Sequence, residues 1–288
     1  MVENKVDDLS KGRTMARSKL RQTQGANISD ADIDADGDSQ YMKALGRAID
    51  VLLTFRKGDE PLGNSEIAER TGIPTSTVSR ITYTFARRGF LNFDSRRRLY
   101  ELGGEAFALG QVAFTNLDIR RLAAPLLRDL AFRSGFNAGL AIRDRHMMVF
   151  TDAFEGEGLV GLRLFAGSRL PIIKTALGRA YLAALSDEEC EVVMEELRER
   201  VPDRSVLDRE LETAKQQLET HGFCVSLGEW APDVHGLAAP IKTPSGRVYA
   251  IDLGGPSYLL PKEDAWQRHG PAVAAVVRDI ESQLKTKA

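Results

Sequence analysis

The chain has 288 residues, with 39 Lys/Arg against 41 Asp/Glu and 43% apolar residues. That make-up fits one large or two ordinary globular domains and excludes fibrous and low-complexity classes. It holds no apolar run of the roughly 18 residues a membrane span needs and no secretory leader pattern, so a cytoplasmic protein with no membrane partner is expected.

Charge is unevenly spread. Residues 41–102 carry eleven Lys/Arg against seven Asp/Glu, whereas 103–288 carry twenty-two against twenty-six and 1–40 carry six against eight. A basic segment between acidic ones is the layout of a nucleic-acid module on a larger body. The two cysteines, Cys190 and Cys224, make no CxxC pair and read as reduced packing thiols.

In chain order, residues 1–40 come first. They pair a basic stretch (Lys11 to Arg21) with an acidic one (Asp30 to Asp38) and offer too little apolar surface to offset ordering entropy, so a disordered tail is expected. The acidic run lacks the Glu ligand and flanking helices of a calcium loop. From Tyr41 a helix begins, with Leu45, Ile49, Leu52 and Leu53 as its inward stripe. A short helix at about 65–70 turns Ile67 and Ala68 inward. The next runs from Pro74 to about Arg88 on Val78, Ile81 and Phe85, with Gly89 as its cap. Strand, turn and strand follow at 90–93, 94–98 and 99–102.

A connecting helix is expected at 103–116, with Phe107, Leu109, Val112 and Ala113. Asp118 then caps a helix burying Leu122, Leu126, Leu127 and Leu130. A hairpin follows at Ala138–Arg143 and Met147–Phe150, and a third strand at Leu159–Phe165. Helices are expected at about 174–185, 187–199 and 207–220. Strands at about 223–227, 236–242 and 247–253 come next, and a helix at about 263–285 closes the chain. Strands in two groups flanking helices make an α+β sensor domain.

The segment Ser65 to Arg80 carries the functional reading. Ala68 is small where two helices cross, Gly72 supplies the turn, and Val78 and Ile81 anchor the second helix. Its outer face then shows Thr75, Ser76, Thr77, Ser79, Arg80 and Tyr83. Hydroxyls reach phosphates and base edges, and an Arg forks onto guanine or clamps a phosphate. Taken alone, these residues also suit a helical hairpin with a solvated polar face. The turn Arg96-Arg97-Arg98 adds a wing tip suited to backbone or minor groove.

With these residues in place, the chain resembles the IclR family of bacterial transcription regulators over nearly all of 41–285. The likeness rests on Ala44-Leu45-Gly46-Arg47-Ala48-Ile49-Asp50-Val51-Leu52, on the helix-turn-helix segment, on Leu170-Pro171, and on Thr175-Ala176-Leu177-Gly178-Arg179-Ala180-Tyr181-Leu182-Ala183. Further along it rests on Gly222-Phe223, Glu229, Gly236-Leu237-Ala238-Ala239-Pro240-Ile241 and Gly254-Gly255-Pro256. Thr82 stands where the family usually has Leu, and Arg179 where Lys is usual. The resemblance implies a GAF-like sensor fold, dimers that pair into tetramers, and a small organic acid effector. It places the effector pocket on Ala176, Leu177, Ser226, Val234, Gly236, Asp252 and Gly254.

The expected organisation is therefore α+β: a disordered tail (1–40), a winged helix-turn-helix (41–102), a linker helix (103–117) and a GAF-like α/β effector-binding domain (118–288). Residue chemistry supports part of the implied pocket. Thr175 and Ala176 fall at a helix N-terminus, which offers N–H groups to an anion. Asp252 alternates with Ile251 and Leu253 on a central strand and is either a ligand anchor or a satisfied structural acid, with Ser226 lined up beside it. The partners expected are a double-stranded operator, a small acid whose binding biases the linker helix, and a second copy of the chain.

An enzyme is the main rival. His221, Cys224 and Glu229 cluster in sequence, yet no oriented base or activated nucleophile can be read there, and His221 suits a helix C-terminus. No nucleotide loop or HExxH is present, and His146, His221, His235 and His269 are too scattered for a metal set, so no catalytic residue, metal or cofactor is expected. His235, beside the implied pocket, either touches the ligand or is a surface residue on its strand, and the second is expected.

Overall fold

The computed structural model describes residues 41–56, 58–115, 119–156, 164–201 and 203–287, so the tail at 1–40 lies outside the described residues. The chain forms two compact units that divide between Leu117 and Asp118.

The first unit holds α1 (Lys43–Leu53), α2 (Asn64–Thr71), α3 (Thr75–Arg87), β1 (Leu91–Asp94), β2 (Leu99–Leu102) and α4 (Gly104–Thr115). Val51, Leu62, Ile67, Ile73 and Val78 form its core, with Phe55, Ala68, Ile81 and Phe85 half-buried against it. Gly72 takes φ 70°, the left-handed conformation that ends α2 before α3 begins. β1 and β2 pair from Leu91↔Leu102 to Asp94↔Leu99, and Leu62 bridges to Tyr100 as a third strand position. This is a winged helix-turn-helix.

Two local findings differ from simple periodicity. The stripe Leu45, Ile49 and Leu53, expected inward, is exposed, and α1 instead buries Val51 and the following Thr54. Thr82 is fully buried, yet its hydroxyl has the Asn64 Oδ1 at 3.0 Å and the Val78 carbonyl at 3.1 Å as acceptors. The polar residue at a usual Leu position is thus satisfied rather than stranded.

The second unit holds α5 (Ile119–Ser134), β3 (Asn137–Asp144), β4 (Met147–Phe154), β5 (Arg169–Pro171), α6 (Ala176–Ala184), α7 (Asp187–Arg198), α8 (Arg204–His221), β6 (Cys224–Leu227), β7 (Val234–Lys242) and β8 (Val248–Pro256). A short turn of helix, α9 (Lys262–Asp264), leads into α10 (Gly270–Lys287). Between them Ala265–His269 winds as a π-turn, just before Pro271, which has no N–H to give an α-helical ladder.

The two expected strand groups are one antiparallel sheet, ordered β5-β4-β3-β8-β7-β6, because β3 pairs with β8. Of the third strand expected at Leu159–Phe165, residues 159–163 lie outside the described residues and Leu164 and Phe165 are not in a strand. The strand beside β4 is β5. On α5 the fully buried row is Ile119, Ala123, Leu127, Leu130 and Ala131, while Leu122 and Leu126 are only half-buried.

One sheet face, through Ala141, Ala238 and Ala250, packs on apolar residues of α6, α7 and α8. The alternate residues, Leu237, Ala239, Ile251 and Leu253, are equally buried and point to the side taken by α5 and α10. α6 sits close to the loop before it: a Cβ on Gly178 would lie 1.8 Å from the Ile172 carbonyl oxygen, so only glycine fits.

Candidate functional site

The candidate recognition surface of the first unit is built by α3. Pro74 is its N-cap and provides no side-chain cap, so the amides of Thr75 and Ser76 have no acceptor among the described residues. With Val78 and Thr82 turned inward, the helical period places Ser76, Ser79, Arg80 and Tyr83 on the opposite face, all exposed, with Tyr83 64% exposed. Thr75 is exposed as well. Thr77, expected on that outer face, is half-buried, since it lies beside Val78 at the edge of the packed side. Arg87 continues the exposed face one turn beyond Tyr83, and its spacing from Arg80 could have flagged it in the sequence.

In the wing, one carboxylate oxygen of Asp94 accepts the N–H groups of Arg96 at 2.9 Å and Arg97 at 3.1 Å, while Arg98 adopts φ 57°. The turn is thereby folded by a short polar side chain, and all three guanidiniums project from it exposed. None of Arg80, Arg96, Arg97 and Arg98 meets a carboxylate among the described residues, so the surface carries uncompensated positive charge. A helix end with open amides, a hydroxyl-and-arginine face and a cationic hairpin tip can do one thing together: hold a phosphate backbone while presenting side chains to base edges.

In the second unit Ala176, Leu177, Ser226, Val234, Gly236, Asp252 and Gly254 all line one cleft, whose empty space of about 390 Å³ includes the open solvent at its mouth. The sheet register explains the convergence. Ser226 pairs with Gly236 and Gly236 with Gly254, while Asp252 pairs with Gly139 and Ala238, so all of these face α6. Ser226 is therefore on the face of Asp252, two strands away and two residues further along.

Thr175, expected at the helix N-terminus beside the pocket, lines the cleft as well, and so do Leu164, Leu170 and Trp230, which escaped the sequence reading. Leu164 and Leu170 flank a turn that periodicity does not phase. Trp230 was legible only as one of two tryptophans, set in a Gly/Pro-containing loop.

The polar groups of the cleft have distinct duties. Thr175 is the N-cap of α6: its hydroxyl donates to the Pro171 carbonyl at 2.6 Å and accepts from the Gly178 N–H at 3.1 Å. That leaves the amides of Ala176 and Leu177 without an acceptor among the described residues. Ser226 donates to the Lys174 carbonyl at 2.7 Å and so ties β6 to the loop entering α6.

Asp252 is 6% exposed, and its Oδ1 has no hydrogen-bond partner among the described residues. Burial drives its carboxyl well above the usual carboxylate range, opposed by the backbone N–H groups of Gly139 and Asp252 itself. It is not a satisfied structural acid. His235 is not a surface residue either. Only 6% of it is exposed, and its Nδ1 lies 2.7 Å from the Leu260 carbonyl.

Behind the cleft, Arg179 forks onto Glu210 at 2.8 and 3.0 Å, and donates also to the Val225 carbonyl and to Glu229 at 3.4 Å. The Arg at this usual Lys position thus makes a bidentate pair, which an ammonium cannot form.

The catalytic rival finds no support in the geometry. Cys224 is buried, and burial pushes its thiol up to about 12, the reverse of an activated nucleophile. His221, at the C-terminus of α8, packs its ring 4.9 Å from that of Trp266. Among the described residues no cluster of His, Cys, Asp and Glu suits a metal, and no helix is long and apolar enough to cross a membrane.

A winged helix-turn-helix joined to an α/β unit with a lined cleft defines the class of DNA-binding transcriptional regulators. A family model described as bacterial transcriptional regulator IclR C-terminal matches residues 111–282, and the IclR helix-turn-helix domain matches residues 44–95. The chain belongs to the IclR family.

Its relatives include the HTH-type transcriptional regulator TsaQ1/TsaQ2 of Comamonas testosteroni, 32% identical over 84% of this chain and 88% of that protein. An IclR family regulator of Brucella abortus, solved by crystallography, is 38% identical over 85% of this chain and 94% of its own, with a TM-score of 0.68. The same fold recurs, at 21% identity and a TM-score of 0.69, in an IclR homologue of Microbacterium hydrocarbonoxydans complexed with 4-hydroxybenzoate, covering 85% of this chain and all of that one. The family consists of transcriptional regulators rather than enzymes.

Proposed function

We propose that this regulator controls a catabolic or metabolic operon, as repressor or activator, in response to a small organic acid held in the cleft of its second unit. The observation that carries this reading is the convergence of the open α6 amides, Asp252 and the small residues Ala176, Gly236 and Gly254 on one largely apolar cavity. A helix N-terminus favours a carboxylate, the leucines, Val234 and Trp230 favour a hydrocarbon body, and the glycines leave room. The shared fold with a protein complexed with 4-hydroxybenzoate supports an acid of that size.

On DNA, α3 takes the major groove and Arg96, Arg97 and Arg98 hold the backbone beside it. One recognition helix reads only a short half-site, so the working unit is a dimer, or two dimers, on a pseudo-palindrome. The exposed Leu45, Ile49 and Leu53 of α1, and Phe107, Leu109 and Val112 of α4, support self-association, because single-domain surfaces rarely carry such apolar rows uncovered. Effector binding biases α4, the linker helix, by its differential affinity for two arrangements of the paired DNA-reading heads.

The test is calorimetry of the full chain against hydroxy, keto, amino and aromatic acids, with Gly236→Val alongside. A side chain there projects toward Ala176, whose Cβ is 3.8 Å from the added carbon. The variant is expected to fold and to lose the acid. Unchanged affinity in Gly236→Val would move the effector site elsewhere.

A further inference from the structure

We infer that Asp252 is held as a neutral carboxylic acid whose proton is donated to the bound effector, so that the cleft selects acids bearing an uncharged hydrogen-bond acceptor at the end remote from their carboxylate. This rests on the reading of the cleft as the effector site and adds to it a ligand class and a pH response.

The geometry is specific. Asp252 sits on β8, a central strand, and its Oδ1 is sealed from water without a partner. Buried polar atoms are otherwise almost always paired, and Asp252 is a lining residue of the cleft, so the open position on its carboxyl is one that a ligand seated there completes.

No cation faces it. Its strand partners are Gly139 on β3 and Ala238 on β7, and the lining residues of α6 are Ala176 and Leu177. Arg179 on α6 is committed to Glu210, Glu229 and the Val225 carbonyl. His235, the other titratable group on the cleft wall, is committed to Leu260. An ionised Asp252 would be a buried charge with only the backbone N–H groups of Gly139 and Asp252 to stabilise it, whereas the neutral acid needs only an acceptor for its O–H. The raised proton affinity caused by burial agrees with this.

The same proton resolves a conflict inside the cleft. The α6 amides attract a carboxylate, and an ionised Asp252 would repel that ligand; the neutral acid does not. A hydroxyl, carbonyl or ether oxygen on the ligand accepts from Asp252 while its carboxylate lies at α6. A ligand ammonium would instead require Asp252 to ionise. The folded protein binds this proton more tightly than the unfolded chain. Stability is therefore greatest below the ordinary Asp range and is lost as pH rises from that range up to the raised folded value. Binding of an acceptor ligand weakens above that value.

Infrared difference spectroscopy of the full-length protein, wild type minus Asp252→Asn, tests the protonation state near neutral pH without any ligand. The expected result is a protonated carboxyl C=O stretch present only in the wild type. A difference containing carboxylate bands alone would overturn the inference. Chemical denaturation supplies a second reading. From the ordinary Asp range up to the raised folded value, the unfolding constant of the second unit should rise about tenfold per pH unit in the wild type relative to Asp252→Asn. Parallel curves would contradict a neutral acid.

For ligand class the probes are 4-hydroxybenzoate and 4-(aminomethyl)benzoate, compared by thermal shift. Stabilisation by the hydroxy acid, retained in Asp252→Asn because the amide still donates, supports the assignment. Preference of the wild type for the ammonium probe, abolished in the variant, would overturn it. A carboxyl band with no shift from either probe would count against the cleft as an acid site and not against the neutral Asp252.

Discussion

The two units treat polar side chains in opposite ways. In the winged helix-turn-helix, Ser76, Ser79, Arg80 and the wing arginines stand exposed and meet no opposite charge among the described residues. In the effector unit the notable polar groups are buried and committed: Arg179 to Glu210, Thr175 to Pro171 and Gly178, Ser226 to Lys174, His235 to Leu260. A surface waiting for phosphates keeps its charges uncompensated, because pairing them would compete with DNA. A unit that must shape a cleft needs its polar atoms fixed, because each one left unpaired inside costs free energy. Asp252 is the informative exception, buried like the second group but unpaired like the first.

The contrast can be broken first at Arg179. Replacing it by alanine leaves Glu210 with a part-buried, uncompensated carboxylate and is expected to cost about 3–5 kcal/mol in the effector unit. Denaturation followed in that unit would check it, with the winged unit's own transition unmoved. A loss under about 1 kcal/mol would mean that this pair behaves like an exposed surface pair.

The wing gives the opposite signature. Changing Arg96, Arg97 and Arg98 together to alanine should leave melting unchanged, since all three are exposed. It should weaken binding to specific and non-specific DNA alike and flatten the salt slope by up to about 0.9 for each phosphate no longer neutralised. An unchanged slope would place the wing off the DNA.

Arg80→Ala is expected to cost about 1–3 kcal/mol on the specific site, less on non-specific DNA, and again nothing in stability. Equal losses on both sequences would make Arg80 a backbone-binding residue. The smallest effect is expected from Thr82→Val, which keeps the volume but removes the donor to Asn64 Oδ1, for about 1 kcal/mol of stability in the winged unit.

The sequence made some of these features plain and others not. Gly72, Pro74, Val78 and the hairpin turn have local mechanical reasons, so the helix-turn-helix was readable from spacing alone. Helices α6, α7 and α8 also fell within a few residues of expectation, since Thr175, Ser186 and Asp203 cap them.

What failed was non-local. Leu45, Ile49 and Leu53 have core periodicity but lie exposed, because a stripe says only that a face is apolar and not what covers it. The joining of β3 to β8 spans more than a hundred residues and has no local signal. The seven cleft residues came from the family resemblance, and strand alternation added only Asp252 and Ser226. Trp230 and Leu170 reach the cleft from loops, where no period assigns a direction. That His235 is buried follows from Leu260 lying over it, which no reading of β7 alone could supply.

The claim that α3 reads base sequence while the wing supplies charge is tested most directly by titrating the full chain onto the promoter fragment next to its own gene. A scrambled fragment of equal length serves as control, with anisotropy measured at about 50 and 200 mM salt. The account predicts clear preference for the promoter fragment at both salts, a fall in both affinities of at least about tenfold between them, and preference reduced by Arg80→Ala but not by the wing triple variant. Equal affinity for the two fragments, or binding indifferent to salt, would contradict it.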